Sequence, residues 1–99
     1  MTLAPEAVAA GRDALAGIDR TLAARPHKDD YVLSDATQAL CTLRDALIAQ
    51  ADGGEAARDR LEALNAVLGV VLGVHFPIGA VPWDDLEAAR GWLAELVDG

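Results

Sequence analysis

Cysteine is almost absent from this sequence, which contains only Cys41. No disulfide can form within these 99 residues, and no CxxC metal or redox motif is present. This usage suits a reducing compartment and predicts a cytoplasmic protein. The first residues also lack a basic segment ahead of an apolar run, so no secretory signal peptide is expected.

Aromatic residues are scarce as well, with two tryptophans, one tyrosine and one phenylalanine. Because hydrophobic residues still make up 53% of the sequence, the core must consist of leucine, valine and alanine. Such a core suits closely packed helices, and alanine has the highest intrinsic helix propensity. A length of 99 residues is typical of one domain, so we expect a single helical domain over residues 1–99.

Basic residues are outnumbered, with eight Lys and Arg against 16 Asp and Glu, and the net charge is −8. Nucleic-acid binding is therefore not expected, because phosphate contacts need clustered Lys and Arg. Docking on anionic membranes is disfavoured for the same reason. A basic partner, or simply good solubility, fits this charge better. The abundance of Ala, Gly, Asp, Leu and Val, with Arg far more frequent than Lys, indicates a bacterial genome rich in GC.

One segment, 67–81 (VLGVVLGVHFPIGAV), has no charged residue at all. An apolar segment in an acidic chain must be hidden in a core or against a partner. The segment includes the polar His75 and the helix-breaking Pro77. Its 15 residues are also fewer than the roughly 20 that span a bilayer. The sequence therefore predicts no membrane helix.

Four helices are predicted, at residues 5–24, 29–51, 55–75 and 82–97. Pro5 suits a first helical position, Pro26 ends the first helix, and Gly53 with Gly54 ends the second. Short connections imply antiparallel neighbours, so the predicted fold is an all-α, up-down four-helix bundle.

The start of the second helix has two solutions. Ser34 is a good N-cap candidate, followed by an acidic first turn. Val32 and Leu33 are nevertheless already in phase with the later apolar positions, which makes a cap at Asp29 or Asp30 equally suitable. The hydrophobic phase favours the earlier start.

Apolar stripes predict which faces are buried. The second half of helix 3 is apolar on every side, so we expect it to be buried all round. Its two glycines, Gly69 and Gly73, each cost about 1 kcal/mol relative to alanine. That cost suggests close approach of another backbone, either within the chain or between subunits. The predicted core stripes are Val8, Gly11, Leu15, Ile18 and Leu22 in helix 1, Leu61, Leu64, Leu68, Val71, Leu72 and His75 in helix 3, and Leu86, Ala89, Leu93 and Leu96 in helix 4.

Residues capable of chemistry do not form a recognisable site. His75 has no ligand at metal spacing, and we interpret it as a mostly buried histidine that closes helix 3. Cys41 lies near Arg44, which lowers thiol pKa values in reactive sites, but a lone boundary cysteine is more typical of packing. We therefore expect no catalytic residue, no metal site and no cofactor.

Acidic side chains cluster at two places, Asp29–Asp30 and the start of helix 4. The second cluster consists of Asp84, Asp85 and Glu87. Neither cluster matches a calcium loop. Interaction with the positive end of a helix dipole explains both.

The leading functional hypothesis is a non-enzymatic protein-protein interaction module, with a homodimer suspected. Helix 3 and the loop after it would carry the contact. Trp83 and Trp92 lie on opposite flanks of helix 4, where a small bundle has difficulty in burying both, so one of them is expected at an interface. The predicted partner-binding residues are Gly69, Gly73, Val70, Val74, Phe76, Ile78, Trp83 and Trp92.

Two alternatives remain open at this point. An acidic inhibitor or antidote, of the immunity-protein or antitoxin type, would cover a basic partner surface with its carboxylates. A ligand-carrying or enzymatic bundle would use a cavity near His75.

Overall fold

A computed structural model describes residues 3–50 and 53–98, and these ranges form four α-helices. Helix α1 spans Pro5–Ala23, α2 spans Asp30–Gln50, α3 spans Glu55–His75 and α4 spans Trp83–Asp98. The predicted all-α fold is confirmed, and the predicted helix ends differ from these bounds by at most one residue. The predicted end of helix 2 at residue 51 lies outside the described residues.

The start of α2 is fixed by an aspartate cap. The Oδ1 atom of Asp29 accepts hydrogen bonds from the backbone N–H groups of Tyr31 at 2.9 Å and Val32 at 3.3 Å. These are two of the donors that a helix N-terminus leaves without a backbone partner. Ser34 lies inside the helix. The earlier of the two possible starts is therefore correct.

The helices form a closed ring in chain order. Over residues 3–50 and 53–98, α1 packs on α2 and α4, α3 packs on α2 and α4, and the Cα atoms of diagonal helices stay more than 8 Å apart. Neighbours run antiparallel, because the Ala4 N–H donates to Oε1 of Gln50 at 3.3 Å and Nζ of Lys28 donates to the His75 carbonyl at 2.7 Å. The predicted up-down bundle is confirmed.

The core lies along the axis of this ring and draws side chains from all four helices. Val32 and Leu33, which are in phase with the later apolar positions of α2, are buried, and so are most of the residues predicted for α4, although Val97 takes the core position expected for Leu96. The core comprises Ala7, Ala10, Ala14 and Ile18 from α1, Leu33, Leu40, Leu43 and Leu47 from α2, Leu64, Val67, Val71 and Val74 from α3, and Leu86, Ala89, Leu93 and Val97 from α4.

Alanine rather than leucine occupies the centre of α1, which differs from the predicted stripe. Val8, Leu15 and Leu22 lie at the edge of the core and are only partly buried. The reason is the close approach of the neighbouring helices. A Cβ atom added to Gly17 would lie 3.0 Å from the Cβ of Ala36 in α2, so a larger side chain does not fit at this contact, although the adjacent Ile18 is buried in the core.

The buried face of α3 is rotated from the predicted one. Of the predicted stripe only Leu64 and Val71 are fully buried, while Leu72 is 38% exposed. The prediction that this half of the helix is buried all round is also wrong, because Ala66 and Gly69 are exposed. A helix in a four-membered ring has only two direct neighbours, and these leave its outer side uncovered.

Two ion pairs join α1 and its following loop to α4. Nε and Nη2 of Arg90 donate to the two carboxylate oxygens of Asp19, at 2.9 and 3.4 Å. This hydrogen bonding raises the pKa of Arg90 above its ordinary value. Arg25 lies 3.5 Å from Glu87.

Within the described ranges, none of the helices has the length and hydropathy that crossing a bilayer requires.

Candidate functional site

An apolar surface follows the outer side of the second half of α3 into the next loop. We call it the open α3 face. Phe76 is 69% exposed, Ile78 is fully exposed, and Leu72 shows 38% of its surface. Single exposed apolar residues are ordinary on proteins, but three large ones within seven positions make this segment unusually apolar at the surface. The open α3 face consists of Ala66, Gly69, Leu72, Gly73, Phe76 and Ile78.

The two glycines leave the backbone of this face bare. Among the described residues, a Cβ atom added to Gly69 or Gly73 would meet nothing within 4 Å beyond the neighbouring backbone of its own helix. Close packing of this strip inside the monomer is therefore wrong as an explanation of the two glycines. The close approaches occur instead at Gly11 and Gly17 in α1, where an added Cβ would meet Val97 and Ala36.

The open α3 face is also free of formal charge over a long stretch of sequence. Between Glu62 and Asp84 the chain contains no Asp, Glu, Lys or Arg, and His75 is its only titratable residue. In a chain of net charge −8, a partner that covers this stretch removes no charged side chain of it from water, so the electrostatic cost of burial is lowest here.

His75 is packed in the way that the sequence predicts, as a histidine closing the end of α3. Its ring stacks on Phe76 with centroids 4.2 Å apart, and its side chain is 15% exposed. Its Nε2 lies 3.9 Å from the Asp30 carboxylate, and its carbonyl accepts the hydrogen bond from Lys28. These contacts hold the base of the Phe76 side chain at the end of the bundle.

The structure divides the predicted partner-binding residues into three groups. Gly69, Gly73, Phe76 and Ile78 lie on the open α3 face. Val70 and Trp83 are partly buried against the core. Val74 is fully buried in the core, so it has no surface to offer a partner.

Trp92 lies elsewhere, in a groove between the first half of α3 and the last half of α4. It is 45% exposed, so the tryptophan expected at a surface is this one. The groove has a volume of about 340 Å³. Its lining residues are Asp59, Arg60, Ala63, Trp92, Glu95 and Leu96.

Sequence reasoning missed this groove. The spacing of Trp92, Glu95 and Leu96 at i, i+3 and i+4 places them on one side of α4, which is the only sequence signal for it. Asp59 belongs to a different helix, and it lines the same groove as Glu95 only because α3 packs on α4.

The remaining acidic residues and the cysteine have structural environments of their own. Asp29 caps α2, and the hydrogen bond from Lys28 lowers the pKa of Asp30 below its ordinary value. Asp84 and Asp85 lie in the first turn of α4, where the helix dipole favours them. In the described part of the chain no three His, Cys, Asp or Glu side chains are grouped so as to hold a metal ion. The exposed Cys41 is a free thiol.

Comparison with known proteins gives no relative. No protein-family model, curated protein or solved structure matches this chain. The two surfaces described above, the open α3 face and the groove beside Trp92, are therefore the structural basis for a functional hypothesis.

Proposed function

We propose that this protein is a non-enzymatic interaction domain that forms a homodimer through the open α3 face. The observation that carries the proposal is the exposure of Phe76 and Ile78 beside two glycines whose backbone is uncovered. Burying this apolar surface against a partner would be favourable by about 25 cal/mol for each Å² removed from water.

The distribution of charge permits a second copy of the chain as the partner at this face. Two molecules of net charge −8 repel each other at most approaches. The sequence from Glu62 to Asp84 gives one surface without Asp, Glu, Lys or Arg, so two copies meeting there do not oppose like charges across the contact. A twofold axis would then place the same patch on both sides of the interface.

The glycines supply the shape for such a contact. Packed helices usually lie 8–10 Å apart, about the width set by their side chains. Gly69 and Gly73 lie one turn apart on the open side, so a second α3 could approach closely there. Their helix-propensity cost of about 1 kcal/mol each would be offset by packing between subunits.

The other functional hypotheses have less support. An acidic inhibitor would act through the two acidic clusters of the sequence, but one carboxylate in each already has a partner, since Glu87 pairs with Arg25 and Asp30 pairs with Lys28. A ligand carrier built on His75 would need open space beside the imidazole, but that ring is stacked on Phe76 and faces Asp30.

Sedimentation equilibrium of purified protein tests the proposal. All samples carry Cys41→Ser, because an exposed thiol can form an intermolecular disulfide that imitates a dimer. We expect a mass of twice 10.3 kDa at high micromolar concentration. Phe76→Ala and Gly69→Leu should shift the equilibrium to monomer, the first by removing apolar contact and the second by blocking close approach.

Ile48→Ala is the matched control, because Ile48 is 48% exposed on α2, away from the open α3 face. It should leave the dimer unchanged. Added salt should not weaken the dimer, since no charge pair holds it and screening reduces the repulsion between subunits. A monomer at every concentration, or equal weakening by Ile48→Ala and Phe76→Ala, contradicts the proposal.

A further inference from the structure

We infer that the groove between α3 and α4 binds an arginine side chain from a basic protein partner. This is a second surface, separate from the open α3 face. It lies beside the first half of α3, whereas the open α3 face belongs to the second half. Trp92 forms one wall, Leu96 and Ala63 supply apolar surface, and Asp59 and Glu95 bring carboxylates.

The tryptophan gives the groove its preference for a flat cation. Trp92 leaves 45% of its surface exposed, although its counterpart Trp83 is partly buried against the core. A guanidinium stacks on an indole face through cation–π attraction, which is stronger for tryptophan than for other aromatic rings. The guanidinium is also more weakly hydrated than an ammonium group, so arginine loses less than lysine when it leaves water.

The walls also match the rest of an arginine side chain. Its methylene stem can lie along Leu96 and Ala63 while its charged head reaches the rim. A volume of about 340 Å³ accommodates one long side chain but not a folded peptide. The site is therefore suited to a single anchoring residue on the surface of the partner.

Charge complementarity decides the sign of the occupant. Asp59 and Glu95 contribute two negative charges and Arg60 one positive charge, which leaves the lining with a net charge of −1. In the described ranges neither of these carboxylates belongs to an ion pair. The net charge of −8 on the whole chain draws a basic partner toward it from a distance.

Nuclear magnetic resonance of the ¹⁵N-labelled protein, titrated with N-acetyl-arginine amide, tests this inference. Each of the two tryptophans gives its own indole N–H signal, so Trp83 serves as a reference within the same molecule. We expect the Trp92 signal to shift and saturate in the millimolar range while the Trp83 signal stays in place. N-acetyl-citrulline amide, which has the same shape without the charge, should produce no saturable shift.

Variants separate a local site from general attraction to an acidic protein. Asp59→Asn and Glu95→Gln should each weaken arginine binding by roughly two- to fivefold, as expected for an exposed charge pair. Asp84→Asn removes the same charge at the far end of α4 and should leave binding unchanged. Trp92→Leu, read from neighbouring backbone amide signals, should abolish binding.

Three results would overturn the inference. They are an equal response to citrulline, an equal loss of affinity in Asp84→Asn and Asp59→Asn, and a Trp92 shift that rises linearly without saturating. Circular dichroism of each variant establishes that it is folded, so a lost response can be assigned to the groove itself.

Discussion

Gly11 in α1 lies directly against Val97 in α4, so closely that a Cβ atom added to the glycine would collide with Cγ2 of the valine. Both residues are buried, and they join the beginning of the first helix to the end of the last. The ring of four helices is closed at this point. The glycine is thus needed for packing rather than for an unusual backbone angle.

Substitution of Gly11 by alanine should lower stability relative to the same change at Gly69. Both changes remove a helical glycine and gain about 1 kcal/mol of helix propensity. Only Gly11→Ala overpacks a contact, which costs about 1–3 kcal/mol because the β-branched Val97 is stiff. Urea unfolding in a Phe76→Ala background, where dimerisation does not contribute, measures both. Equal stabilisation by the two changes would show that α4 moves away from Gly11 without cost.

The cap of α2 gives a second prediction. Asp29→Ala should destabilise the fold by about 0.5–2 kcal/mol, because the N–H groups of Tyr31 and Val32 lose their acceptor. Asp29→Asn keeps an acceptor and should cost less. Ser34→Ala lies inside the helix and should be neutral or slightly stabilising. Thermal unfolding compares the stability of the three variants. A larger loss of stability in Ser34→Ala than in Asp29→Ala would indicate that Ser34 is the helix cap.

The ion pair between Arg90 and Asp19 should contribute only modestly to stability. About half of each side chain is exposed, and exposed pairs contribute about 0.2–1 kcal/mol. A double-mutant cycle with Arg90→Gln and Asp19→Asn measures the coupling. We expect the coupling energy to fall in molar salt, where screening acts within about 3 Å. Coupling that is unchanged by salt would mean that the pair is more buried than described.

Protonation of Asp30 gives a pH-dependent prediction. The hydrogen bond from Lys28 Nζ, at 2.9 Å, holds the pKa of this carboxyl below its usual 3.8. Its contribution to stability is therefore present above about pH 4 and is lost as the pH falls through the lowered pKa. Lys28→Met should raise the pKa of Asp30 toward the usual value. Carboxyl-carbon resonances followed through an acid titration test this, and an unchanged Asp30 in the variant would contradict it.

The helix ends were predictable because their signals are local. Pro5 and Pro26 restrict their own backbone and that of the preceding residue, whatever the rest of the fold does. Gly53, at φ +80°, adopts the left-handed conformation that a stop between two helices favours. Only the choice between Asp29 and Ser34 needed the structure, since either side chain can cap a helix.

The buried faces were less predictable, because they depend on how closely neighbouring helices approach. In α1 the sequence favours leucine as core, but α2 and α4 approach so closely at Gly17 and Gly11 that the leucines lie at the edge, and three alanines with Ile18 fill the centre. In α3 every position after Asn65 is apolar or glycine until His75, so periodicity cannot show which side faces outward. The outward side of α3 is set by which helices pack against it, and the sequence of α3 does not contain that information.

The candidate surfaces were predictable in part for the same reason. Phe76 and Ile78 follow the end of a helix and were expected at a contact, and both are exposed. Trp92 was expected on a flank of helix 4, but distance along the chain does not reveal which groove a side chain enters. Its association with Asp59 arises only when α3 and α4 are packed together.

The order of the helices around the ring also has a kinetic consequence. Three of the four interfaces of the described chain join helices that are consecutive in sequence, and only the α1–α4 interface links distant segments. Chains dominated by such short-range contacts fold within microseconds to milliseconds. The contact of Gly11 with Val97 would then form after the transition state. Gly11→Ala is accordingly expected to accelerate unfolding while leaving the rate of folding almost unchanged.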